Sequence, residues 1–212
     1  PEDVQLTPIF PFEDWTLETK DPSLDAVARR TLELAPRHRR VLSGEKLNTA
    51  IRSPIAVVRA GAAEDLPAML EYYRAAFKPQ TNGFSFFEGA TAHSIEHLGL
   101  LTMMVQEALL QSVAPRPGEP ETIHVFPAWP RTWDVSFRLL ARGGFVVAAA
   151  MLYGCVAEVE IESRFGEECR LRNPWPAACR VENEDGDVGA RAAAAEVVVF
   201  DTRPGSRYRL HG

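Results

Sequence analysis

Along the first half of the chain apolar residues recur every three or four positions, and after the proline-bearing run Pro115 to Pro120 the interval falls to two. The first pattern predicts helices. Asp21 followed by Pro22 reads as an N-cap with proline in the first turn, opening a helix through SLDAVARRTLELA with Leu24, Val27, Ala28, Leu32 and Leu34 near helical spacing. A second helix is expected over LNTAIRSPIAVVRA, distorted at Pro54 and ending near Gly61. A third starts at Asp65 or Leu66 and runs through AMLEYYRAAFK, and the fourth, the most apolar, spans about Ile95 to Val113. The segments Arg37 to Gly44 and Lys78 to Thr91 are expected as long loops.

Period two predicts strands at TIHVF, DVSFRLLAR, FVVAAAMLYG, VAEVEIES, ECRLR, ACRVE, EVVVFD and SRYRL. Gly143-Gly144 reads as the hairpin turn between the second and third, and NEDGDVGARAAAAE as an exposed excursion. The expected fold is therefore α + β, with a helical region over 1–114 and a small antiparallel β-sandwich over 121–212. Long loops suit a helical toroid better than a closed bundle. A toroid of helical hairpins needs more helices than 212 residues supply here, so the chain reads as a fragment.

Composition narrows the classes. Lysine and arginine number 23 against 29 acids, a net charge of -6, with no basic stripe of the kind a phosphate backbone requires, so no nucleic-acid partner is expected. The longest apolar stretch, Phe145 to Val159, is broken by Gly154 and holds Glu158, which argues against a membrane partner. No signal-peptide pattern is visible after Pro1, and the compartment stays open. Cys155, Cys169 and Cys179 are odd in number with no C-x-x-C spacing, and are expected as free thiols.

Candidate chemistry concentrates in GFSFFEGATAHSIEHLGLLTMMVQEALLQS. It places Glu88, His93, Glu96 and His97 at or before the first turn of the fourth helix, where the positive end of the helix stabilises a carboxylate and suits Glu96 to act as a base. A plain dipole-complementing role for Glu96 is the alternative. Residues 93–97 also spell H-x-x-E-H, a zinc-peptidase pattern that needs one helix through both histidines and a third ligand, sought among Glu158, Glu160, Glu162, Glu167 and Glu168. Phe84, Phe86 and Phe87 offer flat faces for stacking on sugar rings, or simply core packing. Phe126, Trp129 and Trp133 are expected to wedge the linker rather than bind. G-x-S-x-G, P-loop and G-x-G-x-x-G patterns are absent.

Ile95-Glu96, Thr102, Val105, Glu107, Leu109-Leu110-Gln111-Ser112, then Phe126-Pro127-Ala128-Trp129-Pro130 and Ala141-Arg142-Gly143-Gly144-Phe145 follow one another in an order that resembles a known family. It is the C-terminal part of inverting α-L-fucosidases and their relatives, glycoside hydrolase family ninety-five. There, I-D-G-N-F-G-G-T-A-G-I-A-E-M-L-L-Q-S leads into L-P-A-L-P and an A-R-G-G-F hairpin. The resemblance implies the last helices of an (α/α)6 barrel followed by a β-domain, a glycan substrate, no cofactor and no metal.

It further implies that Glu96 stands where the family has its general-base aspartate, with Phe84, Phe86, Phe87 and His97 as subsite residues. His97-Leu98-Gly99-Leu100 replaces the family's Gly-Asn-Phe-Gly. The general acid belongs to the N-terminal part of the same enzyme, so the segment alone is expected to be inactive. Relatives act outside the cytoplasm, which makes an extracytoplasmic location the expectation by resemblance. A non-catalytic carbohydrate-binding or interaction module is the competing reading, and the zinc metallopeptidase a third.

Overall fold

The computed structural model describes residues 3–45, 52–76, 85–87, 92–94, 96–190 and 196–212. Its contacts divide the chain into two units, residues 1–108 with 115–117, and residues 109–114 with 118–212.

In the helical unit, α1 (Pro22–Leu34) starts as its sequence dictates. The Asp21 carboxylate accepts the amides of Ser23 and Leu24 at 2.9 and 3.3 Å. The expected loop from Arg37 is instead a second short helix, α2 (Pro36–Leu42). Its local N-cap, Ala35, has no side chain that can bond, and the missing acceptor arrives from the far end of the unit. Buried Asp3 takes the Arg37 and His38 amides at 3.0 and 3.1 Å and the Ser53 hydroxyl at 2.7 Å. Such a long-range cap leaves no local trace in the sequence.

Helix α3 (Ser53–Arg59) carries Pro54 in its first turn, so the proline opens a helix instead of distorting one; residues 46–51 of the expected longer helix lie outside the described residues. Helix α4 (Leu66–Ala76) matches the expected start at Leu66. The N-terminal segment packs Leu6, Ile9 and Trp15 against Ala28, Ala35, Ala56 and Ala60, which makes a small-residue core. Strands β1 (Ser85–Phe87) and β2 (Ala92–Ser94) pair antiparallel, and α5 (Glu96–Leu109) follows.

The fourth helix thus ends earlier than expected. Leu110–Val113 forms a strand, β3, because its backbone finds a partner in β4 (Thr122–Val125), with Leu110 opposite Val125 and Val113 opposite Thr122. The Leu-Leu-Gln-Ser run suits a helix locally, and sheet pairing overrides that preference.

The other strands are β5 (Val135–Ala141), β6 (Phe145–Leu152), β7 (Cys155–Ser163), β8 (Cys169–Arg172), β9 (Arg180–Asn183), β10 (Gly186–Asp187), β11 (Val197–Phe200) and β12 (Arg207–His211). They form a six-stranded sheet in the order β10-β9-β12-β7-β6-β5 and a four-stranded sheet in the order β11-β8-β4-β3. All pairs are antiparallel except β4 with β8, where Ile123 lies opposite Leu171 in parallel, a departure from the fully antiparallel expectation. Gly143 and Gly144 make the expected turn at φ 74 and 76°, a region closed to most side chains. The excursion expected over 183–196 contains the two-residue strand β10, and residues 191–195 lie outside the described residues.

Alternation sets two faces. One carries rows such as Val181, Leu210, Val159 and Ala149, and next to it Tyr208, Ile161 and Val147, all at or below 4 % exposure. The two sheets meet where the Tyr208 ring lies 5.3 Å from that of Phe200 in β11, beside fully buried Leu171. The opposite face holds the charges: Glu162 pairs with Arg138 at 3.0 Å and Arg207 at 3.4 Å. Cys169 and Cys179 are buried free thiols whose pKa burial raises, Cys179 to about 11, so neither is a nucleophile near neutrality.

Candidate functional site

Glu96 is the first residue of α5 and is exposed, the position in which a carboxylate meets the unpaired amides and positive end of a helix. The helix behind it is anchored at its other end. Met104 and Ala108 are completely buried, and Arg59, itself 6 % exposed, reaches Glu107 at 3.3 Å and Glu13 at 2.8 Å beneath the Phe10 ring. A buried guanidinium shared by two carboxylates fixes α5 to the N-terminal segment and to α3.

The β1–β2 pair stands immediately before the helix. Ser85 lies opposite Ser94, Phe86 opposite His93 and Phe87 opposite Ala92, so the strand bearing the aromatics runs back alongside the residues that lead into Glu96. The backbone therefore gathers the Phe86, Phe87 and Glu96 positions into one strand–strand–helix unit, which the expected long loop did not anticipate. Phe84 and Glu88 lie outside the described residues, as do the side chains of Phe86, Phe87, His93 and His97.

The zinc-peptidase geometry fails at the backbone. His93 belongs to a strand and His97 to the helix that begins at Glu96, so the single helix which must present both histidines one turn apart is not formed. The acids proposed as a third ligand sit on or after β7: Glu158, Glu160 and Glu162 are strand residues, and Glu160 and Glu162 engage Arg209 and Arg138.

Several further places among the described residues combine polar groups with space, and two of them bear on the sequence candidates. In the helical unit a cavity of about 330 Å³ is bordered by His38 and Asp65, joined at 2.8 Å. The His38 Nδ1 is sealed from solvent with no partner, which makes this pair a buried strut between α2 and the start of α4. The β-rich unit has a cavity of about 250 Å³ beside Trp129. Trp129 and Trp133 pack edge to face, 5.7 Å apart, within that unit. The sequence singled out Phe126, Trp129 and Trp133 only as linker wedges, and spacing could not bring in the rest of the lining, which comes from β4, the β4–β5 connection, β6, β7 and β8.

Among the described residues no helix is long and apolar enough to cross a membrane. Residues 118–210 match the model for the glycoside hydrolase family 95 C-terminal domain. The β-rich part of the chain is thus similar to a glycoside hydrolase C-terminal domain, and the helical residues before it lie outside the match. No curated protein matches the chain closely enough to be compared.

Proposed function

We propose that this chain is the C-terminal portion of an inverting, α-L-fucosidase-like glycoside hydrolase acting on glycans, whose helices are the last of an (α/α)6 barrel and whose N-terminal part completes the active site. The observation that carries the reading is the family match over 118–210, directly downstream of the Glu96 helix. In this reading Glu96 is the general base. One carboxylate oxygen takes a proton from a water, and that water attacks the anomeric carbon from the face opposite the leaving oxygen. A carboxylic acid supplied by the N-terminal part protonates that oxygen as the glycosidic bond breaks.

Inversion needs the two carboxyl groups roughly 6.5–9.5 Å apart, leaving room for the water. An exposed carboxylate in the first turn of a helix, where the helix dipole favours negative charge, suits the base better than the acid. Phe84, Phe86, Phe87 and His97 are the proposed subsite residues; Phe86 and Phe87 lie on β1, which pairs with the strand that precedes the Glu96 helix, and His97 follows Glu96 in that helix.

A second feature supports a missing partner. On α1, Leu24, Val27 and Leu34 fall on one helical stripe and are 48, 62 and 51 % exposed, as a helix does when the surface that covers it belongs to another segment. The test is hydrolysis of a panel of aryl glycosides, the α-L-fucoside included, by the full-length enzyme and its Glu96→Gln variant. Loss of kcat by about a thousandfold, within the 10²–10⁴ range of acid–base contributions, is expected with the fold intact. Equal activity in the two proteins removes Glu96 from the mechanism. The 212-residue chain alone is expected to show no turnover.

A further inference from the structure

The aromatic end of the β-rich unit has the features of a ligand site of its own, in a part of the chain with no assigned chemistry. The cavity beside Trp129 is lined by buried Met151, Val156 and His124, 1, 8 and 7 % exposed, by Trp129, and by the basic side chains Arg131 and Arg172. Its volume, about 250 Å³, lies just under the roughly 300–1,000 Å³ typical of drug-sized ligands and fits one small ring.

Each wall is fixed before any ligand arrives. The Trp129 Nε1–H donates to the Trp133 carbonyl at 3.2 Å, and the edge-to-face Trp133 ring supports the indole. Arg131 donates one N–H to the Gly154 carbonyl at 2.8 Å and has no carboxylate partner among the described residues. Arg172 pairs with Glu196 at 2.8 Å, whose side chain is 87 % exposed, a contact that solvent weakens. The β6–β7 register shifts between Ala150 and Met151, the latter in the cavity lining, the kind of irregularity that re-aims side chains next to binding sites.

A third aromatic stands on the neighbouring turn, outside the cavity lining. The β6–β7 turn, whose Gly154 carbonyl Arg131 holds, places Tyr153 at φ 52° with its ring 93 % exposed. The Tyr153 amide donates to Asp134 at 2.7 Å, which ties the turn to the residue after Trp133. Asparagine or glycine would occupy that backbone conformation at lower cost, and a bulky aromatic there, with almost no surface buried, gains the fold nothing. Strain of this kind with no packing return points to a role in binding.

We infer that this end of the β-rich unit binds a single uronic acid residue of a glycan. The indole of Trp129 and the phenol of Tyr153 offer faces for the sugar C–H groups, and the Arg131 guanidinium, its planar fork only partly used, matches a carboxylate. Two guanidinium groups around a one-ring cavity select a charged sugar over a neutral one. The site stands independently of the Glu96 reading, because none of its residues lies in the helical unit.

The test is titration of the 212-residue chain with glucuronate, followed by tryptophan fluorescence and by amide shifts of 15N-labelled protein, with glucose and acetate as companions. Glucuronate is expected to shift the indole and backbone signals around Trp129 and Arg131, and to bind about tenfold more tightly than glucose, one charge-assisted contact's worth. Arg131→Gln should abolish that preference, and Tyr153→Asn, which keeps the turn, should weaken glucuronate two- to threefold by about the value of one lost stacking contact. No response to glucuronate at tens of millimolar overturns the proposal. Shifts reproduced by acetate alone, or binding unchanged in both variants, also overturn it, since the sugar or the named residues would then play no part.

Discussion

Among the described residues, the β-rich unit buries its apolar rows within its own sheets, and the helical unit leaves more of its apolar side chains exposed. In the first, the exposed large apolar residues are Trp133 in the β4–β5 connection, Leu140 on the outer face, adjacent Leu152 and Tyr153 at a hairpin, and Phe165 in a loop, with no stripe along one strand. In the second, Val4, Phe12, Leu24, Val27, Leu34, Leu42 and Met103 are 40 % exposed or more, and three of them share one stripe of α1. An apolar excess aligned along one element is what the proposed covering segment would explain, whereas scattered exposure is the normal condition of a surface. The same contrast separates the segment that matches a family domain from the segment that lies outside the match.

Perturbing each core breaks or sharpens this comparison. Ile161, fully buried between Val147 and Tyr208, should be the most sensitive position: Ile161→Ala is expected to cost about 2–5 kcal/mol in urea unfolding. A loss below about 1 kcal/mol would mean that the sheet relaxes around it and that its closed core is illusory.

Arg59→Met comes next, at about 2 kcal/mol, under the 3–5 typical of a fully buried broken pair because Glu13 and Glu107 are 24 and 22 % exposed. Hydrogen exchange should show the loss at the end of α5 around Glu107 and leave β6 and β7 protected. Uniform loss of protection in both units would contradict their separation.

Val27→Ser should change the stability of this chain by no more than about 0.5 kcal/mol, as exposed positions do. In a longer protein that includes the proposed N-terminal part, the same change should lower the melting temperature clearly. An equal, negligible effect in both proteins would remove the case for a covering segment.

The smallest effect concerns acid. The Arg138 guanidinium, bonded to Glu162 and aided by Arg207, holds that carboxyl below its ordinary pKa. A depressed folded-state value means the stabilisation is present above the ordinary carboxylate range and is lost as pH falls through the folded value. Arg138→Gln should bring the Glu162 NMR titration midpoint upward towards ordinary glutamate, and an unmoved midpoint would assign the shift to Arg207.

Period and caps made most elements legible: α1 from Asp21-Pro22, α4 from Leu66-Pro67, and eight strands from alternation. What stayed hidden depends on partners far away in the chain. Helix α2 is a basic run with little apolar period, stabilised by a carboxylate 34 residues distant, and β3 carries a helix-compatible sequence that only β4 turns into a strand. At the candidate site, the helix start at Glu96 could be read locally. That Phe86 and His93 would face each other across a two-stranded ribbon could not, because three-residue strands are too short to show a period. The aromatic end of the β-rich unit was hidden for a related reason: Arg131 and Gly154, 23 residues apart, meet only once the β5–β6 hairpin has formed.

The passage from α5 to β3 without an intervening residue bears on how such a module can be cut out, grafted or inherited. The amide of Phe126 donates to the Leu109 carbonyl at 2.7 Å, at the seam between helix and strand. An excision at the proline run, where composition changes, would leave β3 behind and turn β4, buried on both faces, into an open edge whose unpaired amides and carbonyls invite pairing with other chains. The unit that can travel intact begins before Leu110, upstream of the segment that the family model recognises. A cut that respects the core must therefore keep Leu109, the last residue of the Glu96 helix, on the β-rich side.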